Sequence, residues 1–173
     1  MKVCNLKISN FRGIREADLH FPNHAVLIGD NNTGKSTIFE ALDLVLGPDR
    51  MNKRPVIDEH DFFQGEYLGN EGEASSKIQI EVTIISLTDE QKTRFGSYIE
   101  WWDDQNKSLC DSQLVEVIDK DTIQHALRVS FIGKYDAEEM ILLAAPIFLE
   151  ALKKVMKQCF LQGKINNIVD FYI

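Results

Sequence analysis

The chain has 173 residues, 44% of them hydrophobic and 27% charged, which excludes a disordered or fibrous protein and suffices for one globular unit with its own core. A formal net charge of −8 gives an acidic surface that repels phosphate backbones, so free-standing nucleic-acid binding has no support. The three cysteines, Cys4, Cys110 and Cys159, are scattered with no C-x-x-C pair, there is no apolar leader, and the longest apolar stretch, Met140–Leu149, is broken by Pro146. These features predict a cytoplasmic protein with reduced thiols and no membrane span.

In chain order, Leu6–Phe11 alternates apolar and polar residues and predicts a half-buried strand. Gly13 allows a turn, and residues 17–21 alternate again. His24–Gly29 is a short continuous apolar run ending in glycine, the pattern of a buried central strand. A polar loop follows, then a helix from about Lys35 to Leu46, with Ile38, Phe39, Ala41, Leu42, Val45 and Leu46 at helical spacing. Gly47 and Pro48 are its predicted stop, glycine as the C′ residue. Residues 49–76 read as a long polar surface loop. Lys77–Ser86 alternates as a strand, and Thr88 is a fair N-cap for a short helix with acids in its first turn. Residues 100–113 read as a second loop, followed by strands at Leu114–Ile118 and Ala126–Ile132. From residue 140 the sequence turns strongly apolar and then helical in pattern, through Phe148, Leu149, Leu152, Val155, Met156 and Phe160. The expected fold is therefore α/β, with mixed or antiparallel strands and a C-terminal helix. Residues 1–139 form the lobe and residues 140–173 an atypical apolar or helical tail.

The most informative segment is Gly29-Asp30-Asn31-Asn32-Thr33-Gly34-Lys35-Ser36, which fits G-x-x-x-x-G-K-[ST] between an apolar run and an amphipathic helix. Each residue type answers a physical need of a bound triphosphate. Gly29 lets the chain turn where a Cβ would block it, and Gly34 lets the backbone approach phosphates closely. Successive N–H groups from about Asn32 to Thr37 point inward as an anion nest at the positive end of the helix. Lys35 supplies a point charge for the β- and γ-phosphates. Ser36 offers its hydroxyl to Mg²⁺, and Thr37 is positioned for the α-phosphate. Thr33 lies inside the loop. Asn31 and Asn32 either contact the γ-phosphate or its attacking water, or serve the loop's left-handed geometry. Arg12, just after the first strand, either reaches a phosphate or is a solvated surface arginine.

The residues Leu6–Ile14, Leu27–Thr37 and Glu40-Ala41-Leu42 resemble the opening of the SMC/RecF-type ABC ATPases, which share N-F-R-G/S-I, G-x-N-x-x-G-K-S/T and a following E-A-L helix. Within that group the chain is most similar to the OLD family (overcoming lysogenisation defect) of ATP-dependent endonucleases. Asp61-Phe62-Phe63 and Arg128–Tyr135 are further, less specific points of likeness. The resemblance covers roughly residues 1–139. It implies the N-terminal part of an ABC-type P-loop NTPase lobe, with ATP and Mg²⁺ as ligands and sites completed across a head-to-head homodimer. It adds weight to Arg12 as a nucleotide contact and to Asn32 near the γ-phosphate. DNA is implied only for the full-length assembly. The chain departs from the family in having no Walker B run, no L-S-G-G-like signature and no acidic Toprim nuclease segment, the pattern of a truncated gene, a frameshifted end or a standalone short paralogue. Catalytic residues are accordingly unassigned, and weak or absent hydrolysis is expected. The alternative is a nucleotide-binding regulatory or dimerisation module without chemistry of its own.

Other polar clusters read more simply. Asp58-Glu59-His60-Asp61 collects metal-capable side chains, but adjacent residues on an extended segment point apart, and a solvated acidic loop is the expectation. Of Trp101 and Trp102, one ring is expected to be buried and the other partly exposed. Asp136, Glu138 and Glu139 read as a charged strand end. The tail is expected to cover the lobe's own core. No histidine has a Ser or Cys nucleophile at motif spacing.

Overall fold

In the computed structural model, the described residues are 1–31, 33–47, 56–68, 76–110, 122–136 and 141–147. They form one seven-stranded sheet: β1 (Lys2–Phe11), β2 (Ile14–His20), β3 (Lys77–Ile85), β4 (Ile99–Asp103), β5 (Ser108–Cys110), β6 (Ile123–Asp136) and β7 (Ile141–Ile147). The helices are α1 (Lys35–Leu46) and α2 (Asp89–Phe95). The strand order is β2-β1-β3-β6-β4-β5, and every pairing is antiparallel. The 14-residue β6 organises the sheet. Its one edge pairs with β3 from Leu127 to Lys134, while its other edge is divided between β4 at residues 123–127 and β7 at residues 130–136.

Period-two alternation decides which side of the sheet is covered. Leu6 and Ile8 of β1, Ile78, Ile80, Val82 and Ile84 of β3, and Leu127, Val129 and Phe131 of β6 all face one way and are buried. Helix α1 packs across β1, β3 and β6 on that side, with Ala41, Leu44 and Val45 fully inside and Ile38 and Leu42 partly so. Residues 38, 41, 42 and 45 are one stripe at helical spacing. Each fully buried Leu, Ile or Phe in this layer contributes about 1.5–3 kcal/mol by removal from water. The opposite side carries Lys7, Ser9, Gln79, Glu81 and Arg128. There Arg128 forms ion pairs to Glu100 at 2.6 Å and to Glu81 at 3.5 Å.

Helix α1 spans the predicted residues, but its stop works differently from expectation. Gly47 sits at φ −74°, so no left-handed turn is involved. Glycine is needed because a Cβ there would lie 2.4 Å from the Asp43 carbonyl oxygen, to which the Gly47 N–H donates at 2.8 Å. Pro48 lies outside the described residues. Thr88 caps α2 as predicted, with its hydroxyl accepting from the Gln91 N–H and the Gln91 side chain returning to the Thr88 N–H.

Two expectations are corrected. Residues 100–113 are not a loop where described: β4 and β5 form a hairpin there. Its turn is built on Asp103, whose carboxylate accepts from the Gln105 and Asn106 N–H groups at 2.7 and 3.1 Å. Trp102 is buried against Cys4, Ile85 and Ala126, and Trp101 is half-buried, so the tryptophan pair divides as expected. The second correction concerns His24–Gly29, which is not a buried central strand. Ala25 packs on the core and Leu27 is half-buried, but Val26 and Ile28 are 81% and 91% exposed. The alternation of a strand is present, but among the described residues no strand pairs with it, because β1 is already flanked by β2 and β3 and the open antiparallel sheet is assembled from other segments. Residues 114–118, 138–139 and 148–173, including the predicted C-terminal helix and Cys159, lie outside the described residues. The segment that begins at residue 140 contributes β7 to the same sheet as residues 1–136.

Candidate functional site: the glycine loop and the turn beside it

The glycine loop leaves the exposed 26–28 segment and runs into α1. Gly34 is the helix N-cap and sits at φ 88°, ψ 6°, a left-handed backbone that costs an L-residue about 1–2 kcal/mol. No side chain caps α1. The first backbone bond into the helix is Ile38 N–H to the Gly34 carbonyl at 3.1 Å. The N–H groups of Lys35, Ser36 and Thr37 therefore precede any carbonyl they could reach within the helix, and they stand together at its positive end. The loop is held by Thr33, whose hydroxyl donates to the Asp30 carbonyl at 2.8 Å. Gly29 is tight against it: a Cβ at that position would lie 2.9 Å from the Thr33 Oγ1.

Lys35 is folded back over the loop. Its Nζ donates to the Gly29 carbonyl at 2.8 Å and to the Asp30 carbonyl at 2.5 Å, and lies 3.4 Å from the Thr33 hydroxyl. An ammonium has three donors and no acceptor, so these loop oxygens satisfy it at the mouth of the nest. Asn31 and Ser36 are exposed and Thr37 is half-buried; Asn32 lies outside the described residues. The arrangement thus brings Gly29, Thr33, Gly34 and Lys35 into one hydrogen-bonded loop. Ser36 and Thr37 follow on the first turn of α1.

Arg12 belongs to a different but adjoining structure. The two-residue turn Arg12-Gly13 joins β1 to β2 between the paired residues Phe11 and Ile14. Arg12 occupies its first central position at φ 48°, a left-handed conformation in which a non-glycine residue stores about 1–3 kcal/mol. Its side chain is one-third exposed (33%), but its guanidinium is ion-paired rather than free. Nε donates to Asp61 Oδ1 at 2.8 Å, Nη1 contacts the Glu40 carboxylate on α1, and the backbone N–H donates to the Asp61 carbonyl at 2.8 Å. The group also lies 5.5 Å from the centre of the Phe11 ring. Ile14, at the end of the turn, lies beside Gly34: a Cβ on that glycine would touch its side chain at 3.7 Å.

Asp61 is the residue whose role sequence reasoning missed. The acidic run is solvated at Asp58, Glu59 and His60, but Asp61 is only 3% exposed. It closes a capping box in which its Oδ2 accepts from the Asp58 N–H at 3.1 Å while Asp58 accepts from the His60 N–H at 2.8 Å. Phe62 then bridges to Phe11, fastening the segment to the end of β1. The signal was the D-x-x-D spacing of a cap preceding Phe62, which a reading for metal ligands passes over. Among the described residues no cluster of three or more His, Cys, Asp or Glu side chains is arranged to hold a metal ion.

A glycine loop with a lysine at the head of a helix, set beside a mixed α/β core with an antiparallel sheet, defines the P-loop NTPase class. The chain belongs to the AAA ATPase domain family (AAA_15), which it matches over residues 1–169. That match extends past residue 139 into the segment set apart in the sequence. Fifty-nine residues, 32% of the chain, are 46% identical to an uncharacterized protein of Mycobacterium tuberculosis and, equally, to one of Mycobacterium bovis, covering 7% of each. Eighty-nine residues, 51% of the chain, are 32% identical to the DNA double-strand break repair Rad50 ATPase of Methanococcus maripaludis, covering 8% of it. The aligned part is therefore a small fraction of these curated relatives. The family and this relative fit a nucleotide-binding ATPase domain of the ABC/SMC type. Among the described residues no helix is long and apolar enough to cross a membrane.

Proposed function

We propose that this chain binds ATP with Mg²⁺ through residues 29–37 as part of an ABC-type ATPase. The observation that carries the reading is the state of Lys35. Its ammonium is held by the two carbonyls that frame the loop, at the head of a helix whose first amides have no internal partner. A triphosphate supplies oxygens both to that ammonium and to the amides of Lys35, Ser36 and Thr37. Ser36 Oγ is the protein's ligand for Mg²⁺, while Thr33 and the glycines shape the loop, with Asn31 and Asn32 at the γ-phosphate end. Arg12 in the neighbouring turn is a second cation beside the loop, held in this structure by Asp61 and Glu40.

The finer assignment is to the OLD type of ATP-dependent endonuclease, supported by the Asp61-Phe62-Phe63 element and the Arg128–Tyr135 strand. In that reading the ATP site is shared between two copies. DNA, whose double-strand break repair is in the name of the Rad50 relative, is engaged by the larger assembly and not by this acidic lobe. The chemistry that this chain's residues supply is phosphate binding and charge neutralisation. Hydrolysis by the chain alone is expected to be weak.

Isothermal titration of the chain with ATP and Mg²⁺ tests the reading. Saturable binding is expected, with a loss of at least tenfold in Lys35→Ala, the consequence of removing one charge-assisted contact worth about 1.5–3 kcal/mol. Binding that is unchanged by Lys35→Ala would overturn the assignment of the loop.

A further inference from the structure

Arg12 is gripped by two carboxylates that differ in kind. Asp61 is buried, and every one of its polar groups near the turn is engaged: Oδ1 by Arg12 Nε, Oδ2 by the Asp58 N–H, and its carbonyl by the Arg12 N–H. It cannot leave without breaking the capping box and the attachment of the 58–62 segment to β1. Glu40 is different. Its side chain is 35% exposed, it stands one and a half turns into α1, and its contact with Arg12 Nη1 is its one ion pair among the described residues. Glu40 Oε2 is buried against Arg12 with no hydrogen-bond partner, but the rest of its side chain is partly exposed, so the carboxylate can turn outward and exchange the cation for water; an aspartate locked in a cap has no such exit.

Charge points the same way. Two carboxylates against one guanidinium leave the spot with an excess negative charge, which disfavours an incoming phosphate while both remain in place. Displacing Glu40 frees Nη1 and leaves Arg12 aimed by Asp61 through Nε, on the edge away from Nη1. The strained backbone at Arg12 fits this role. Glycine, already present at position 13, is the residue such a turn favours at its first central position, so an arginine there marks a side chain whose placement outweighs the local cost.

We infer that Asp61 is a positioning residue that aims Arg12 at the triphosphate, and that Glu40 is an exchangeable occupant of Arg12 that the phosphate displaces. The inference rests on the ATP reading of the loop. It predicts opposite signs for two acidic residues on the same arginine, which a purely structural role for either would not produce.

The experiment is titration of the intact chain with ATP and Mg²⁺, alongside thermal melts, for wild type, Asp61→Asn, Glu40→Gln, Arg12→Ala and the two acidic variants in the Arg12→Ala background. Asp61→Asn is expected to weaken ATP by roughly tenfold, and Glu40→Gln to tighten it by roughly threefold. Both effects vanish once Arg12 is alanine. Glu40→Gln lies outside the cap on a partly exposed position of α1 and keeps the fold testable if Asp61→Asn melts early. Weaker or unchanged ATP binding in Glu40→Gln overturns the inference. So does an Asp61→Asn effect that persists in full without Arg12. The Lys35→Ala control separates the failures: if it binds ATP like wild type, the loop reading itself falls, whereas loss there with silent acidic variants removes only this inference.

Discussion

Replacing Gly34 by alanine probes the loop at the point where its backbone is most constrained. At φ 88° an alanine pays about 1–2 kcal/mol relative to its preferred backbone. Sterics add nothing, because the new methyl would meet only the Ile14 side chain at 3.7–3.8 Å, ordinary contact distance. The smaller conformational freedom of alanine in the unfolded chain returns about 0.4–1 kcal/mol. If the loop keeps its shape, the net loss of about 1 kcal/mol appears in stability, as a fall in Tm of about 2–4 °C for a chain of this size. If the free loop relaxes toward negative φ instead, Tm is spared. ATP must then restore the left-handed turn on binding and loses about five- to thirtyfold in affinity. The strain appears in one observable or the other, and the two losses together come to about 1–2 kcal/mol. Differential scanning fluorimetry and isothermal titration on the same preparation measure both. A variant that matches wild type in both assays would refute the argument that the αL backbone at residue 34 is required. A combined loss beyond about 3 kcal/mol would refute the claim that no steric clash is involved.

Two other perturbations, a core substitution and a change of pH, read the core and its ionisation. Gly133→Ala places a methyl 2.6 Å from the Ile57 Cδ1, an overpacking expected to cost about 1–3 kcal/mol. Adding Ile57→Val removes the offending atom, so thermal melts should find the double variant at least as stable as Gly133→Ala alone; a further fall would show that the clash lies elsewhere. Burial, reinforced by the nearby Asp104 carboxylate, pushes the Cys4 thiol up from 9.0 to about 12. Below pH 9 both folded and unfolded chains hold that proton and the thiol contributes no pH dependence. Between pH 9 and about 12 only the unfolded chain releases it, so stability falls as pH rises through this window. Mass-spectrometric mapping after iodoacetamide at pH 8 should find Cys110 alkylated well before the buried Cys4. Equal rates would contradict the burial.

Local chemistry was legible in the sequence wherever one short segment determines its own structure. Helix α1 runs from Lys35 to Leu46 as its spacing required, and Thr88 caps α2 with its own Gln91. The glycine loop is of the same kind, since Gly34, Lys35 and the helix start are neighbours in the chain. What was not legible depended on partners distant in sequence. His24–Gly29 has the composition of a central strand, but composition does not supply neighbours, and the run is left with Val26 and Ile28 in solvent. The 100–113 segment reads as polar because its hairpin turns on Asp103, a polar residue buried by hydrogen bonds to its own turn. Asp61 and Arg12 are 49 residues apart, so nothing local predicts that the arginine closes on that carboxylate.

The long strand β6 has a consequence for how this fold tolerates change. Three neighbours take their alignment from it, β3 along one side and β4 and β7 end to end along the other. Removing a single residue near Val129 would turn every side chain beyond the deletion to the opposite side of the sheet. Phe131 would enter solvent and Ile132 would enter the space beneath α1, while the β3 and β7 seams lost their match together. The same deletion in β5 would disturb one short seam. Insertions and deletions should therefore accumulate at the outer hairpin and be purged from β6, which serves as the ruler against which the rest of the sheet is cut.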